Sequence, residues 1–201
     1  TEKRQADDDK DILIGELNHR IKNILAVTRA IARRTAVEGR SGEAYREDFL
    51  GGFDALSRSL AVSTQQTEAE LSRLVRAVME PYLENTSVIT LEGEEAIALL
   101  PRQAMSLGMI LHELATNALK HGALSVPGGL LDISWRLADD GNGHPQVHLF
   151  WRESNGPKAS PPEATGFGTR LITFATEVDL KGQAELQYQP EGLVAELTFP
   201  R

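Results

Sequence analysis

Two amphipathic helical patterns in the first third of the chain constrain its fold more than any other feature. Over residues 9–35, side chains recur at alternating steps of three and four, the spacing of a stripe that faces a partner helix: Ile14, Leu17, Ile21, Ile24, Thr28 and Ile31. A second pattern over residues 45–66 repeats that spacing at Phe49, Phe53, Leu56 and Leu60. The segment between them, "AVEGRSGEA", is typical of a connection between antiparallel helices. The sequence therefore predicts a helical hairpin.

The hairpin leaves two apolar stripes that two helices bury poorly on their own. We therefore expect it to dimerise into a four-helix bundle, with folding back onto the rest of the chain as the alternative. His19 lies between Leu17 and Ile21, about 200° around the helix from each, so it points away from the stripe. A lone exposed histidine on a helix is usually only a polar surface residue. Whether His19 has a function depends on the rest of the chain.

After residue 67 the pattern changes from helices alone to helices mixed with strands. Apolar residues spaced from Leu71 to Val78 predict a short helix that ends near Pro81, and "SVITLEG" reads as a strand. A longer helix is predicted from Pro101 to just before Gly122. These elements begin a second unit, predicted over residues 68–201.

The remainder of this unit is predicted to be mostly strand. "GLLDISWRL" and "PQVHLFWRES" form two strands around the turn "ADDGNGH". "GFGTRLITFATEV" resumes a helix after the exposed loop "NGPKASPPEAT", and "AELQYQ" with "LVAELTFP" forms a hairpin. The whole chain is therefore of the α+β class, a helical hairpin followed by an α/β sandwich.

Composition excludes several classes of function. The net charge of −8 disfavours a nucleic-acid-binding surface, and the absence of cysteine rules out disulfides and thiolate metal sites. No apolar run is long enough for a membrane span and no signal peptide opens the chain, so a cytoplasmic protein is expected. The polar start without Met is expected to mark a fragment whose upstream part is missing.

The helix "LHELATNALKHG" carries a row of polar side chains. Glu113, Asn117 and either Lys120 or His121 lie one and two turns apart on one face. An amide oxygen is a hard neutral ligand for Mg²⁺, a carboxylate can take a proton or order water, and a cation can meet phosphate oxygens. The row suits a metal-bound polyphosphate, although a solvated helix face would look the same.

Two further motifs point toward a nucleotide. In "TGFGTRL", Gly166 and Gly168 flank a helix start, where free backbone N–H groups attract phosphate. The preceding loop could act as a lid, and no lysine-bearing phosphate loop is present. In "FWRESNGP", Glu153 at the end of a strand could accept a hydrogen bond from an adenine amino group. The plainer alternative is a surface glutamate beside an edge-strand tryptophan.

Taken in order, "ELNHRIKN", "LHELATNALKHGALS", "WRESNGP" and "GFGTRLI" resemble the HWE group of bacterial sensor histidine kinases. The residues that give this group its name match His112, Trp151 and Glu153. The group shares its ATP-binding domain with gyrase, Hsp90 and MutL. The resemblance implies autophosphorylation from ATP and Mg²⁺, then transfer to an aspartate of a response regulator receiver domain. It also implies an upstream sensory domain.

The resemblance assigns roles to individual residues. His19 matches the phosphoacceptor, Asn117 the Mg²⁺ ligand and Glu113 the acidic residue that assists the transfer. Glu153 stands where related proteins carry an adenine-reading aspartate. The other matching nucleotide-binding positions are Lys120, His121, Gly156, Gly166, Gly168 and Thr169.

The sequence departs from its relatives at two positions. Asn155 stands where a glycine is usual, and since Asn tolerates positive φ the turn is expected to survive. Arg20 follows His19 where many histidine kinases have an acid, so Glu113 becomes the expected base, with Glu16 as an orienting group.

Two other functions stay open from the sequence. One is a non-catalytic phosphotransfer module with a decayed nucleotide domain. The other is a nucleotide-binding regulator such as a partner-switching serine kinase.

Overall fold

The computed structural model describes residues 69–83, 88–160 and 167–201 of the chain. The helical hairpin predicted for residues 1–67, with His19, lies outside the described residues, and so does Gly166. The boundary predicted between residues 67 and 68 therefore stays a prediction. All of the described elements belong to the α+β unit predicted after that boundary.

A five-stranded sheet forms the centre of this unit. The strands, in chain order and including two short ones, are β1 (Ala69–Glu70), β2 (Val88–Gly93), β3 (Ala98–Leu99), β4 (Leu130–Asp139), β5 (Pro145–Ser154), β6 (Gln183–Gln189) and β7 (Gly192–Pro200). The large sheet has the order β2-β4-β5-β7-β6, and β1 pairs separately with β3. β2 runs parallel to β4, whereas all other neighbours in the sheet are antiparallel.

Three α-helices are described: α1 (Leu71–Met79), α2 (Pro101–His121) and α3 (Phe167–Phe174). α2 begins with proline at its first position, where the missing N–H costs nothing. It ends where the Gly122 N–H donates to the Ala118 carbonyl at 3.0 Å. Both ends fall where the sequence predicted them.

Burial alternates along the central strands with a period of two. On β4 the side chains of Leu131, Ile133 and Trp135 are buried, whereas the intervening side chains are exposed. The buried faces of the strands join the apolar faces of α1 and α2 in one core. The predicted α+β class is confirmed for this part of the chain, with helices packed on a five-stranded sheet.

Most predicted elements of this unit are confirmed, with two differences. The pairing of β1 with β3 and the parallel pairing of β2 with β4 join residues that are distant in sequence, and neither was predicted. The segment "GFGTRLITFATEV" was predicted to be one helix. Its α-helical part ends at Phe174, and the chain then forms a π-helical turn, Ala175–Asp179. Arg102 Nε and Ser106 Oγ donate to the Asp179 carboxylate at 3.0 and 2.8 Å, which ties this turn to α2.

None of the helices in the described ranges has the length and apolar character that a membrane crossing requires.

Candidate functional site

A cavity of about 440 Å³ opens beside the C-terminal half of α2, between the end of β5 and the start of α3. Its volume falls within the usual range of small-molecule sites, about 300–1,000 Å³. The residues that line it are Glu113, Asn117, His121, Gly122, Glu153, Pro157, Lys158, Ala159, Ser160, Gly168, Thr169, Tyr188, Gly192 and Leu193. Six of these are residues that the sequence selected for nucleotide chemistry.

The α2 side of the cavity carries the polar row. Glu113, Asn117 and His121 are spaced by four residues, so a single face of the helix presents all three to the cavity. The Asn117 Nδ2 donates to Glu113 Oε1 at 3.2 Å, and the Glu113 side chain is buried. Lys120 is exposed and does not line the cavity. Of the two cations the sequence offered, His121 is therefore the one placed at the site.

Glu153 lines the cavity near the end of β5. Its Oε1 accepts from the Trp151 indole N–H at 3.0 Å, and its Oε2 accepts from the Ala123 backbone N–H at 2.9 Å. Burial raises the pKa of the Glu153 carboxyl, and these two hydrogen bonds act in the opposite direction. β5 is the middle strand of the sheet and both side chains are buried. The alternative of a surface glutamate beside an edge-strand tryptophan is wrong.

Two glycines allow close approaches at this site. A Cβ on Gly122 would overlap Glu153 Oε2, so the glycine lets the end of α2 reach the carboxylate. A Cβ on Gly168 would overlap the Glu113 carboxylate, so the start of α3 lies directly against α2. Thr169 lines the cavity next to it. The phosphate-binding roles of Gly166, Gly168 and Thr169 stay predictions.

The turn after β5 keeps the conformation expected for it. Asn155 has a φ of 57°, the left-handed region that a glycine would occupy without strain. Gly156 does not line the cavity; it packs so closely on the backbone of Ala123 that a Cβ would overlap it. Asn155 therefore fits the turn that the sequence predicted here.

The far wall of the cavity was not predicted from the sequence. On β7, Leu193 comes two residues before Ala195, which pairs with Trp151, so Leu193 lies beside Glu153 on the helix-facing side of the sheet. Leu193 also pairs with Tyr188 on β6. Glu153, Leu193 and Tyr188 thus form a row of one acid, one aliphatic and one aromatic side chain. The alternation in "AELQYQ" is a signal that puts Tyr188 on the same face as Ala184 and Leu186, but only the strand order brings that face beside Glu153.

His112 lies apart from the cavity, although it immediately precedes Glu113. It is buried, and its Nδ1 lies 3.0 Å from the Tyr82 hydroxyl just beyond α1. This contact connects α2 to the segment that follows α1.

Comparison with known proteins agrees with the resemblance found in the sequence. Residues 16–95 match the model of the HWE histidine kinase family. A blue-light-activated histidine kinase of Brucella anthropi is 30% identical over 205 residues, which cover all of this chain and 41% of that protein. A second such protein, from Brucella ovis, is 28% identical over 203 residues, again covering all of this chain and 41% of the relative.

The fold also matches that of a solved kinase. The blue-light-activated histidine kinase of Erythrobacter litoralis aligns with a TM-score of 0.63 at 16% identity, covering 94% of this chain and 59% of that one. At this identity the likeness concerns the fold alone. The chain spans about two fifths of the length of the curated relatives that it matches.

Proposed function

We propose that this chain, a member of the HWE histidine kinase family, is the catalytic core of a sensor histidine kinase, which phosphorylates His19 from ATP. The observation that carries the proposal is the cavity in which α2 presents Glu113 and Asn117 opposite the buried Glu153. Residues far apart in sequence, each selected separately for nucleotide chemistry, line one space of suitable volume.

The donor set fits a magnesium–nucleotide complex. The Asn117 amide uses its N–H to donate to Glu113, so its carbonyl oxygen is the atom it offers to a cation. A neutral amide oxygen is a ligand that suits Mg²⁺, and the neighbouring Glu113 carboxylate is left to take the proton. When bound, Mg²⁺ neutralises phosphate charge and aligns the γ-phosphate.

The other cavity residues serve the two ends of the nucleotide. Glu153 would accept a hydrogen bond from the adenine 6-amino group, as a buried carboxylate that lines the cavity. His121, Gly168 and Thr169 would meet the phosphates. Lys120, Gly156 and Gly166 complete the proposed nucleotide-binding residues, with Lys120 at the exposed end of α2.

The proposed chemistry is the transfer of the γ-phosphoryl group to His19. An imidazole nitrogen of His19 attacks the γ-phosphorus, the bond to the β,γ-bridging oxygen breaks, and ADP leaves as the imidazole loses its proton. Neutral imidazole is a competent nucleophile near neutral pH because its pKa is about 6.5. With Arg20 following His19, we assign the proton to Glu113, with Glu16 as the orienting group.

The same proposal extends to partners. The hairpin of residues 1–67 would dimerise as a four-helix bundle and present His19 to a receiver domain, whose aspartate takes the phosphoryl group. Residues 68–201 would be the ATP-binding domain. In the whole protein, an upstream sensory domain would control both steps.

Incubation with Mg²⁺ and γ-labelled ATP tests the proposal directly. We expect covalent label on the protein that is lost in acid and kept in alkali, because a phosphoramidate N–P bond is acid-labile. Label that survives acid would indicate a serine or threonine phosphate and would contradict the assignment. Absence of label together with absence of ATP binding would contradict the kinase altogether.

A further inference from the structure

The Trp151 indole N–H donates to Glu153 Oε1 at 3.0 Å, from a side chain that is fully buried on the middle strand of the sheet. We infer that Trp151 is a positioning residue, whose N–H holds the Glu153 carboxylate turned so that it can accept a hydrogen bond from the amino group of an adenine base. The inference rests on the proposed function, since it gives a role to a residue that would not touch the nucleotide.

The geometry supports this role because the carboxylate is held from both sides. Trp151 and Glu153 are two residues apart on β5 and share its inner face, so the ring lies beside the carboxylate. Ala123 N–H binds the opposite oxygen at 2.9 Å. Two donors on two oxygens fix the plane of the carboxylate. Each oxygen retains capacity for a further hydrogen bond, so the held carboxylate is still an acceptor.

The electrostatics support it as well. Burial disfavours the ionised form of Glu153, and the hydrogen bonds from Ala123 and Trp151 favour it. A protonated carboxyl would present a donor where adenine presents its amino donor. The Trp151 N–H therefore favours the ionised form, which offers only acceptors to the adenine amino group.

Other titratable side chains face the same cavity and must be considered in any pH experiment. They are Glu113 and His121 on α2, Lys158 in the loop after β5, and Tyr188 on β6. All four are kept in the variants below, so a change in pH dependence between variants is attributable to Glu153.

The test is Trp151→Phe, which removes the N–H and keeps an aromatic ring. The measurement is the affinity of the full chain for the non-hydrolysable analogue AMP-PNP with Mg²⁺, by calorimetry from about pH 6 to about pH 9. We expect binding about tenfold weaker near neutral pH, the scale of one hydrogen bond to a charged group. The loss should shrink as pH rises, because the carboxyl then ionises without its donor.

Trp135→Phe is the matched control. Trp135 is the only other tryptophan, is buried in the same sheet, and donates its indole N–H to the Glu94 carbonyl at 2.9 Å, away from the cavity. This variant loses an equivalent buried hydrogen bond and should bind AMP-PNP like the wild type at every pH. In a Glu153→Gln background, Trp151→Phe should produce no pH-dependent change.

If Trp151→Phe does not fold, biosynthetic incorporation of benzothienylalanine into the Trp135→Phe chain replaces the N–H of Trp151 alone by sulfur, and the same pH profile is measured. A profile parallel to that of the control overturns the role of Trp151 and leaves the proposed function intact. A wild-type chain that does not bind AMP-PNP overturns the proposed function and this inference with it.

Discussion

The Asn117 amide donates to the carboxylate of Glu113, one turn earlier on α2, at 3.2 Å. The contact turns both side chains toward the same space and determines which atom of the amide faces outward. It also places a half-buried neutral oxygen, a ligand type that Mg²⁺ accepts, beside the buried carboxylate that we assign as the proton acceptor.

Asn117→Ala should remove the magnesium dependence of nucleotide binding. We expect ATP affinity in excess Mg²⁺ to fall to the level measured with EDTA, because the cation loses a protein ligand while the base contacts remain. Calorimetric titrations with and without Mg²⁺ provide the comparison. The control is Thr116→Ala, since the Thr116 hydroxyl donates only to the carbonyls of His112 and Glu113 among the contacts described. A Thr116 variant with the same loss would point to damage to the helix instead.

The polar row on α2 could be predicted because it depends only on the helical period. Glu113, Asn117 and His121 share a face in any α-helix that includes them, and proline and glycine marked its ends. The strands could be predicted equally well, since alternation of apolar and polar residues is a local property of the sequence. These features need no knowledge of distant contacts.

The rest required tertiary structure. The parallel pairing of β2 with β4 joins segments about 40 residues apart in sequence, and no local pattern specifies that partner. Tyr188 was not singled out from the sequence, because its place on the cavity wall depends on the strand order. The burial of Glu153 is likewise a consequence of Gly122 and Ala123 reaching it from another element.

Gly168→Ala should reduce nucleotide binding and labelling strongly. A Cβ at this position would overlap the Glu113 carboxylate, so either α3 or Glu113 must move. We expect a loss of at least about tenfold in ATP affinity, with a small change in melting temperature. Gly128→Ala is the control: its φ of 80° also disfavours alanine, but no atom lies within 4 Å of the added Cβ. That variant should lose some stability and keep its affinity.

Glu153→Gln should alter the pH dependence of stability in a defined direction. Burial raises the pKa of this carboxyl above its usual value of 4.5, so its contribution to stability is present below that pH and is lost as pH rises through the folded-state pKa. The variant cannot titrate there, so its free energy of unfolding should improve relative to the wild type as pH rises above about 4.5. Urea unfolding at several pH values measures the difference.

Asp140→Asn should change the pH dependence of the free energy of unfolding in the opposite direction, and it serves as the control for Glu153→Gln. The backbone N–H groups of Asn142 and His144 hold the pKa of Asp140 below its usual 3.8. The stabilising contribution of the Asp140 carboxylate is present above pH 3.8 and is lost as pH falls. The Asp140→Asn variant should therefore become less stable than the wild type as pH rises. Parallel trends for the two variants would contradict the buried state of Glu153.

His19→Gln should abolish labelling from ATP and leave nucleotide binding unchanged, since the described residues that line the cavity all come from α2 and the chain after it. His144→Gln is the matched control, because His144 is an exposed histidine in the β4–β5 turn whose only described side-chain partner is Asp140. It should be labelled like the wild type. Native labelling of the His19 variant would show that another residue is the acceptor.

The direction of transfer separates the role of Asn117 from that of His19. Formation of phosphohistidine from ATP requires the cation that Asn117 would hold, whereas return of phosphate from a phosphorylated receiver domain requires His19 and a receiver that carries its own metal. Asn117→Ala should therefore lose labelling from ATP, by several kcal/mol of transition-state stabilisation, and still accept phosphate from the receiver that the wild-type chain phosphorylates. His19→Gln should fail in both directions. If Asn117→Ala also fails in both, Asn117 acts through the integrity of the chain and its assignment as the magnesium ligand is wrong.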